Sequence, residues 1–135
     1  LKRILLIAGL ALGLLAPAAP AAPFTPNLNM AYRLAVAHWG EPNCTSVDME
    51  IVPNGSLGDL RGEATIPTEP QPCFLYLVRQ LAQPSYFEMA CAVTFHEVGH
   101  LTGHVHSSNP RSIMYPEVTF IPAPCERAML WVMNR

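Results

Sequence analysis

Basic side chains are scarce in this sequence. Its 135 residues hold eight Lys and Arg against ten Asp and Glu, and the one Lys is Lys2. No basic stripe or cluster exists, which removes the electrostatic footprint that nucleic-acid binding requires. Aspartate is rarer still, with only Asp48 and Asp59, so an oxygen-rich calcium cage has few ligands to draw on. No uninterrupted apolar run reaches the roughly 20 residues of a membrane-spanning helix. No two cysteines share the C-x-x-C spacing of a zinc ribbon or a redox pair. No internal repeat is visible, and the length fits one domain.

What is present begins with a leader. Lys2-Arg3 is a positive start, Ile4 to Leu15 is apolar, and Ala16 to Pro23 is a run of small residues and prolines. That order is the signature of a secretory signal peptide. It is expected to cover residues 1–21, with the cut after Ala21, although the Ala/Pro run permits other positions. A membrane anchor is the alternative, and the shortness of the apolar run counts against it. Residues 22–135 then form a mildly acidic mature domain, expected to be extracellular and monomeric. All four cysteines, Cys44, Cys73, Cys91 and Cys125, lie in it. In an exported chain an even set reads as two disulfides, with three connectivities open. Cys91–Cys125 with Cys44–Cys73 is the favoured pairing.

The hydrophobic pattern predicts an α+β fold: strands packed on a helix, closed by a C-terminal helix. Residues 22–28 read as an extended lead-in. Asn29 is placed to cap a helix from Met30 to Trp39, stopped by Gly40 and Pro42. Cys44 to Val52 alternates like a strand. A turn follows at Pro53-Asn54-Gly55-Ser56, then a glycine-broken strand from Leu57 to Ile66 and a proline-rich connector, 67–72. Cys73 to Val78 is the most apolar strand candidate and belongs at the sheet centre, with helical structure from Phe74 to Ala82 as the alternative. Ser85 and Glu88 have the spacing of a capping box, opening a helix that runs to Leu101 or Thr102. Phe87, Cys91, Phe95 and Val98 form its buried stripe. The last helix is expected at Cys125 to Met133. His38, alone near a helix end, reads as a packed or solvated side chain.

The chemistry concentrates between His96 and His106. On a helix, His96 and His100 share one face, about 5–6 Å apart at Cβ. Two imidazoles so placed can converge on one Zn²⁺, and Glu97 flanks the same point. Gly103 can take positive φ and turn the chain out of the helix, bringing His106 back as a third nitrogen ligand. Three protein ligands leave the fourth position of a tetrahedral zinc open, which is the catalytic arrangement. His104 is read as solvent-facing.

The run from His96 to Pro116 resembles the metzincin clan of zinc endopeptidases, and within it the matrixins. His96-Glu97, His100, Gly103 and His106 stand at the clan's spacing. Ser107 follows the third His, and Pro110 and Met114-Tyr115-Pro116 complete the resemblance. It implies a small metzincin-like domain, with a mixed twisted sheet packed on the active-site helix and a C-terminal helix after the methionine turn, and one catalytic Zn²⁺ held by His96, His100 and His106. It also implies Glu97 as the general base and Met114 as the methionine-turn floor beneath the ligands. An extended peptide or protein substrate would pair with a strand edge near Leu60 to Ile66, where Gly62 and Ala64 leave room. The stretch from Tyr115 to Ile121, beginning with Tyr115 and Pro116, would wall the adjoining pocket. Tyr115 directly follows Met114 rather than standing two residues beyond it, so it is not given the astacin-type role of a tyrosine ligand.

The departures from the family matter too. Apart from His38 no histidine precedes the motif, so no structural zinc is expected, and with only Asp48 and Asp59 no calcium site is expected either. No cysteine precedes Cys44, so the family's cysteine-switch latency has no counterpart. Disulfides would then take over part of the stabilising role of bound metals. The same residues leave open a secreted zinc-binding domain without turnover, or a hydrolase dedicated to one peptide or cell-wall substrate. Glu97 counts against the first, because zinc binding alone needs no carboxylate there.

Overall fold

The computed structural model describes residues 26–66 and 71–134. The expected signal peptide, 1–21, and most of the proline-rich connector lie outside the described residues. Helix α1 covers Pro26–Trp39. It begins a turn before the expected start, so Pro26 and Asn29 are helical rather than lead-in and cap. Proline is suited to a first turn, where its missing N–H has no intrahelical partner to lose. Gly40, at φ +92°, ends the helix.

Three strands form one mixed sheet: β1 (Val47–Val52), β2 (Gly62–Thr65) and β3 (Cys73–Val78). Their order is β1-β3-β2, with β1 parallel and β2 antiparallel to β3. The apolar β3 is therefore central, as its composition demands, because it packs on both neighbours and on the core. The first two strands are shorter than the alternation suggested. Residues 54–59 are turn, which absorbs Leu57 to Asp59 and leaves only four residues for β2.

Helix α2 spans Phe87–Leu101. The expected capping box does not form. Pro84–Tyr86 is a 3-10 turn, and Tyr86, with no side-chain cap, precedes the helix. Proline at position 84 favours that tight turn and moves Ser85 out of the cap position. The helix is also buried on more than one stripe: Ala90, Ala92, Val93, Thr94 and Gly99 join Phe87, Cys91, Phe95 and Val98 inside. Small side chains allow α1, the sheet and the last helix to close on it from several sides. That last helix, α3, covers Ala123–Met133, starting two residues before the expected Cys125. Two disulfides tie the layers, Cys44–Cys73 between the approach to β1 and the start of β3, and Cys91–Cys125 between α2 and α3. This is the favoured connectivity. The architecture is α+β and compatible with a small metzincin-like domain. Among the described residues no helix is long and apolar enough to cross a membrane.

Candidate metal centre

Helix α2 carries His96, Glu97 and His100 from the core to the surface. His96 is 4% exposed and Glu97 6%, while His100 is half-buried and His106 exposed. The helix ends by a Schellman motif. Gly103 N–H donates to His100 O at 2.9 Å, and His104 N–H donates to Gly99 O at 2.9 Å. Gly103 sits at φ +90°, where a side chain would strain the backbone. The reversal returns His106 to the helix face.

The three Nε2 atoms converge. His100 Nε2 lies 3.1 Å from His96 Nε2 and 3.1 Å from His106 Nε2. The other ring nitrogens fix the tautomers of two of them. His96 Nδ1 is 2.8 Å from Ile113 O, and His100 Nδ1 is 2.9 Å from His104 O. A carbonyl only accepts, so Nδ1 carries the proton in both rings and Nε2 is a bare lone pair. Two bare acceptors facing each other at 3.1 Å repel unless a cation stands between them. The donor set therefore fits a metal ion, with the carbonyl–imidazole partners that orient metal-bound histidines. Burial lowers the pKa of His96 and His100, the neighbouring imidazoles lower it further, and the carbonyl contacts partly oppose this. Both rings are thus kept neutral, the form that ligates.

Glu97 stands against the inner face of the same cleft. Burial pushes its carboxyl up to about 7 in the metal-free protein, partly offset by the Ala64 N–H it accepts, with Glu63 adding repulsion. Met114 is 3% exposed and packs against Gly99 of the helix. A Cβ on Gly99 would overlap its sulfur, so the glycine is what lets the methionine lie under the helix between the two ligands. The turn is fastened on its other side by Ser107 N–H, which donates to Met114 O at 2.8 Å.

The cleft above these groups holds about 550 Å³. One wall is β2 and its approach, from Asp59 to Ala64, and the other is Pro116 to Val118. Pro116 thus lines the cleft, and Tyr115 is not among the lining residues. Gly62 lines it too, yet the close approach there is to the helix. A Cβ on Gly62 would come 2.6 Å from Val93 Cγ1 and 3.2 Å from Glu97 Cγ. Arg61 falls within the expected edge from Leu60 to Ile66, whereas sequence reasoning missed Val93 as a lining residue, since that side chain has no chemical signature. It also placed His104 in solvent. The residue is exposed, but its ring lies against Trp39, with centroids 4.3 Å apart.

Residues 64–126 match the family model described as Matrixin. The site is matrixin-like. The match runs from β2 into α3 and takes in all three histidines, Glu97 and Met114. It spans just under half of the chain, leaving out α1 and β1. No curated protein and no solved structure matches the chain. The matrixin match and the histidine set together suggest a zinc metalloprotease acting on peptides or proteins. The two disulfides fit an extracellular protein.

Proposed function

We propose that the protein is an exported zinc endopeptidase. The observation that carries this is the meeting of three imidazole Nε2 atoms, His100 Nε2 being 3.1 Å from each of the others, beside a buried carboxylate inside a matrixin match. His96, His100 and His106 hold the ion, oriented for the first two by the Ile113 and His104 carbonyls. Zinc, when bound, supplies a Lewis acid that polarises a peptide carbonyl and acidifies water at the site. Glu97 takes the proton of the attacking water on its carboxylate and then delivers it to the departing amine nitrogen. The Ala64 N–H holds that carboxylate in place. Val93 gives the cleft an apolar base, and Met114, buried against Gly99, serves as the methionine-turn floor beneath the ligands. An extended substrate pairs with β2, which lies at one edge of the sheet, through backbone hydrogen bonds. Pro116 to Val118 wall the pocket beside it.

The leader at residues 1–21 takes the chain out of the cell, where Cys44–Cys73 and Cys91–Cys125 can form and persist.

The test is a mixed peptide pool incubated with the oxidised, zinc-loaded protein and read by mass spectrometry, with Glu97→Ala beside it. We expect cleavage by the wild type, reduced at least about a hundredfold in the variant at equal zinc content. Full zinc occupancy without any cleavage would replace this reading by a zinc-binding domain or a single-substrate hydrolase. A folded protein that takes up no zinc would end it.

A further inference from the structure

The two inner ligands are oriented by different kinds of partner. His96 leans on Ile113, in a turn pinned from below by Gly99 and from the side by Ser107. His100 leans on His104 O, a carbonyl that lies beyond the helix end, three residues after Leu101. Helix ends fray, so His100 is oriented only as well as residue 104 is held.

Residue 104 is held by more than its backbone. Its Nδ1 lies 3.0 Å from Thr102 Oγ1 and 3.3 Å from Gly99 O. Its ring rests on the indole of Trp39, tilted 47°. Trp39 is itself pinned to α2, because its Nε1–H donates to Phe95 O at 2.8 Å. His38 packs edge-on against the other part of that indole, centroids 4.6 Å apart. A continuous path therefore runs from the last residue of α1, through two aromatic rings, to the carbonyl that receives His100 Nδ1–H.

We propose that Trp39 and His104 are positioning residues for the ligand His100, the indole bracing the His104 ring so that the His104 carbonyl stays aimed at Nδ1. This rests on the zinc-site reading above. Neither side chain touches the ion or a substrate. Both act by keeping one imidazole in the tautomer and orientation that presents Nε2. Loss of such an outer partner weakens metal binding by roughly 10- to 100-fold.

The experiment uses the full chain with both disulfides formed. Zinc affinity is measured by competition with a chromophoric chelator, and the His100 Nδ1–H proton is followed by NMR in the zinc-loaded protein. His104→Ala should weaken zinc binding about tenfold and bring the His100 Nδ1–H into fast exchange with water. Its exposed position should leave the thermal midpoint of the metal-free protein unchanged. Trp39→Ala should weaken zinc as much, and the double variant no more than either, because the two act as one unit. Trp39→Phe, which keeps a ring against His104, should restore most of the affinity. If Trp39→Ala does not fold, His104→Ala and Trp39→Phe decide the matter. Wild-type binding matched by His104→Ala, with the Nδ1–H signal unmoved, overturns the inference and leaves the zinc site standing. A wild type that binds no zinc overturns the site reading and this inference with it.

Discussion

The metal centre has an inner half and an outer half, and they are built differently. The inner half is His96, Glu97 and the Gly99–Met114 contact, sunk in a helix with the sheet on one side and α1 on another. The outer half is His106 and the loop that follows it, exposed and held by hydrogen bonds among neighbours such as Asn109 N–H to Ser107 Oγ. The inner half gains its precision from packing. The outer half gains it from one backbone reversal at Gly103 and one strut, Ser107 N–H to Met114 O. A ligand set assembled this way has a fixed side and an adjustable side, so the same loss of an imidazole has different structural costs on the two.

The largest test of that difference is a pair of substitutions. His96→Ala and His106→Ala should each abolish stoichiometric zinc binding. Only His96→Ala should also destabilise the metal-free protein, by about 1–3 kcal/mol, because it orphans the Ile113 carbonyl and opens space in the core. His106→Ala should stay within about 0.5 kcal/mol of wild type. Equal losses in chemical denaturation would erase the distinction.

Glu97 sharpens it with pH. Its carboxyl is raised from 4.5 to about 7 in the metal-free fold, so the folded state prefers the protonated form. The corresponding stability is present below about pH 4.5 and is lost as pH rises through 7. Glu97→Gln should therefore make the metal-free protein more stable at pH 8, by on the order of 2 kcal/mol, and should change little at pH 4. Thermal melts at the two pH values check this. A variant less stable than wild type at pH 8 would mean that the Ala64 hydrogen bond outweighs burial.

The last comparison sets the buried Gly99–Met114 contact against an exposed turn. Gly99→Ala drives a methyl into the Met114 sulfur and should cost about 1–3 kcal/mol. Asn109→Ala removes the Oδ1 that accepts Arg111 N–H at 3.0 Å, on the exposed side, and should cost about 0.5 kcal/mol or less. Urea midpoints at constant slope compare them directly.

Much of this was legible in the chain because it is local. The histidine spacing, Gly103 and Met114 all fall within about 20 residues, where helical period and glycine conformation give reliable geometry. The central position of β3 followed from six apolar residues in a row. What was not legible came from competition or distance. Ser85 has the chemistry of a cap, but Pro84 imposed a 3-10 turn ahead of it. Leu57 alternates like a strand residue, yet the turn from Asn54 to Asp59 claimed it. The Trp39–Phe95 hydrogen bond spans 56 residues, and no local pattern announces it. His104 is exposed, as read, but its contact with Trp39 was not legible for the same reason, since that partner arrives from another helix.

Gly62 has a consequence for how such a cleft can diversify. The strand on that side is seated on Val93 and Glu97 with no space for even a methyl group, so that wall cannot retreat or advance without disturbing the carboxylate behind it. The facing wall, Pro116 to Val118, is loop, and although Val118 packs against the core, Pro116 and Glu117 are exposed. Over many generations the width and chemistry of the opening can be recut from one side only, as a vice is set by its moving jaw while the other stays bolted to the bench.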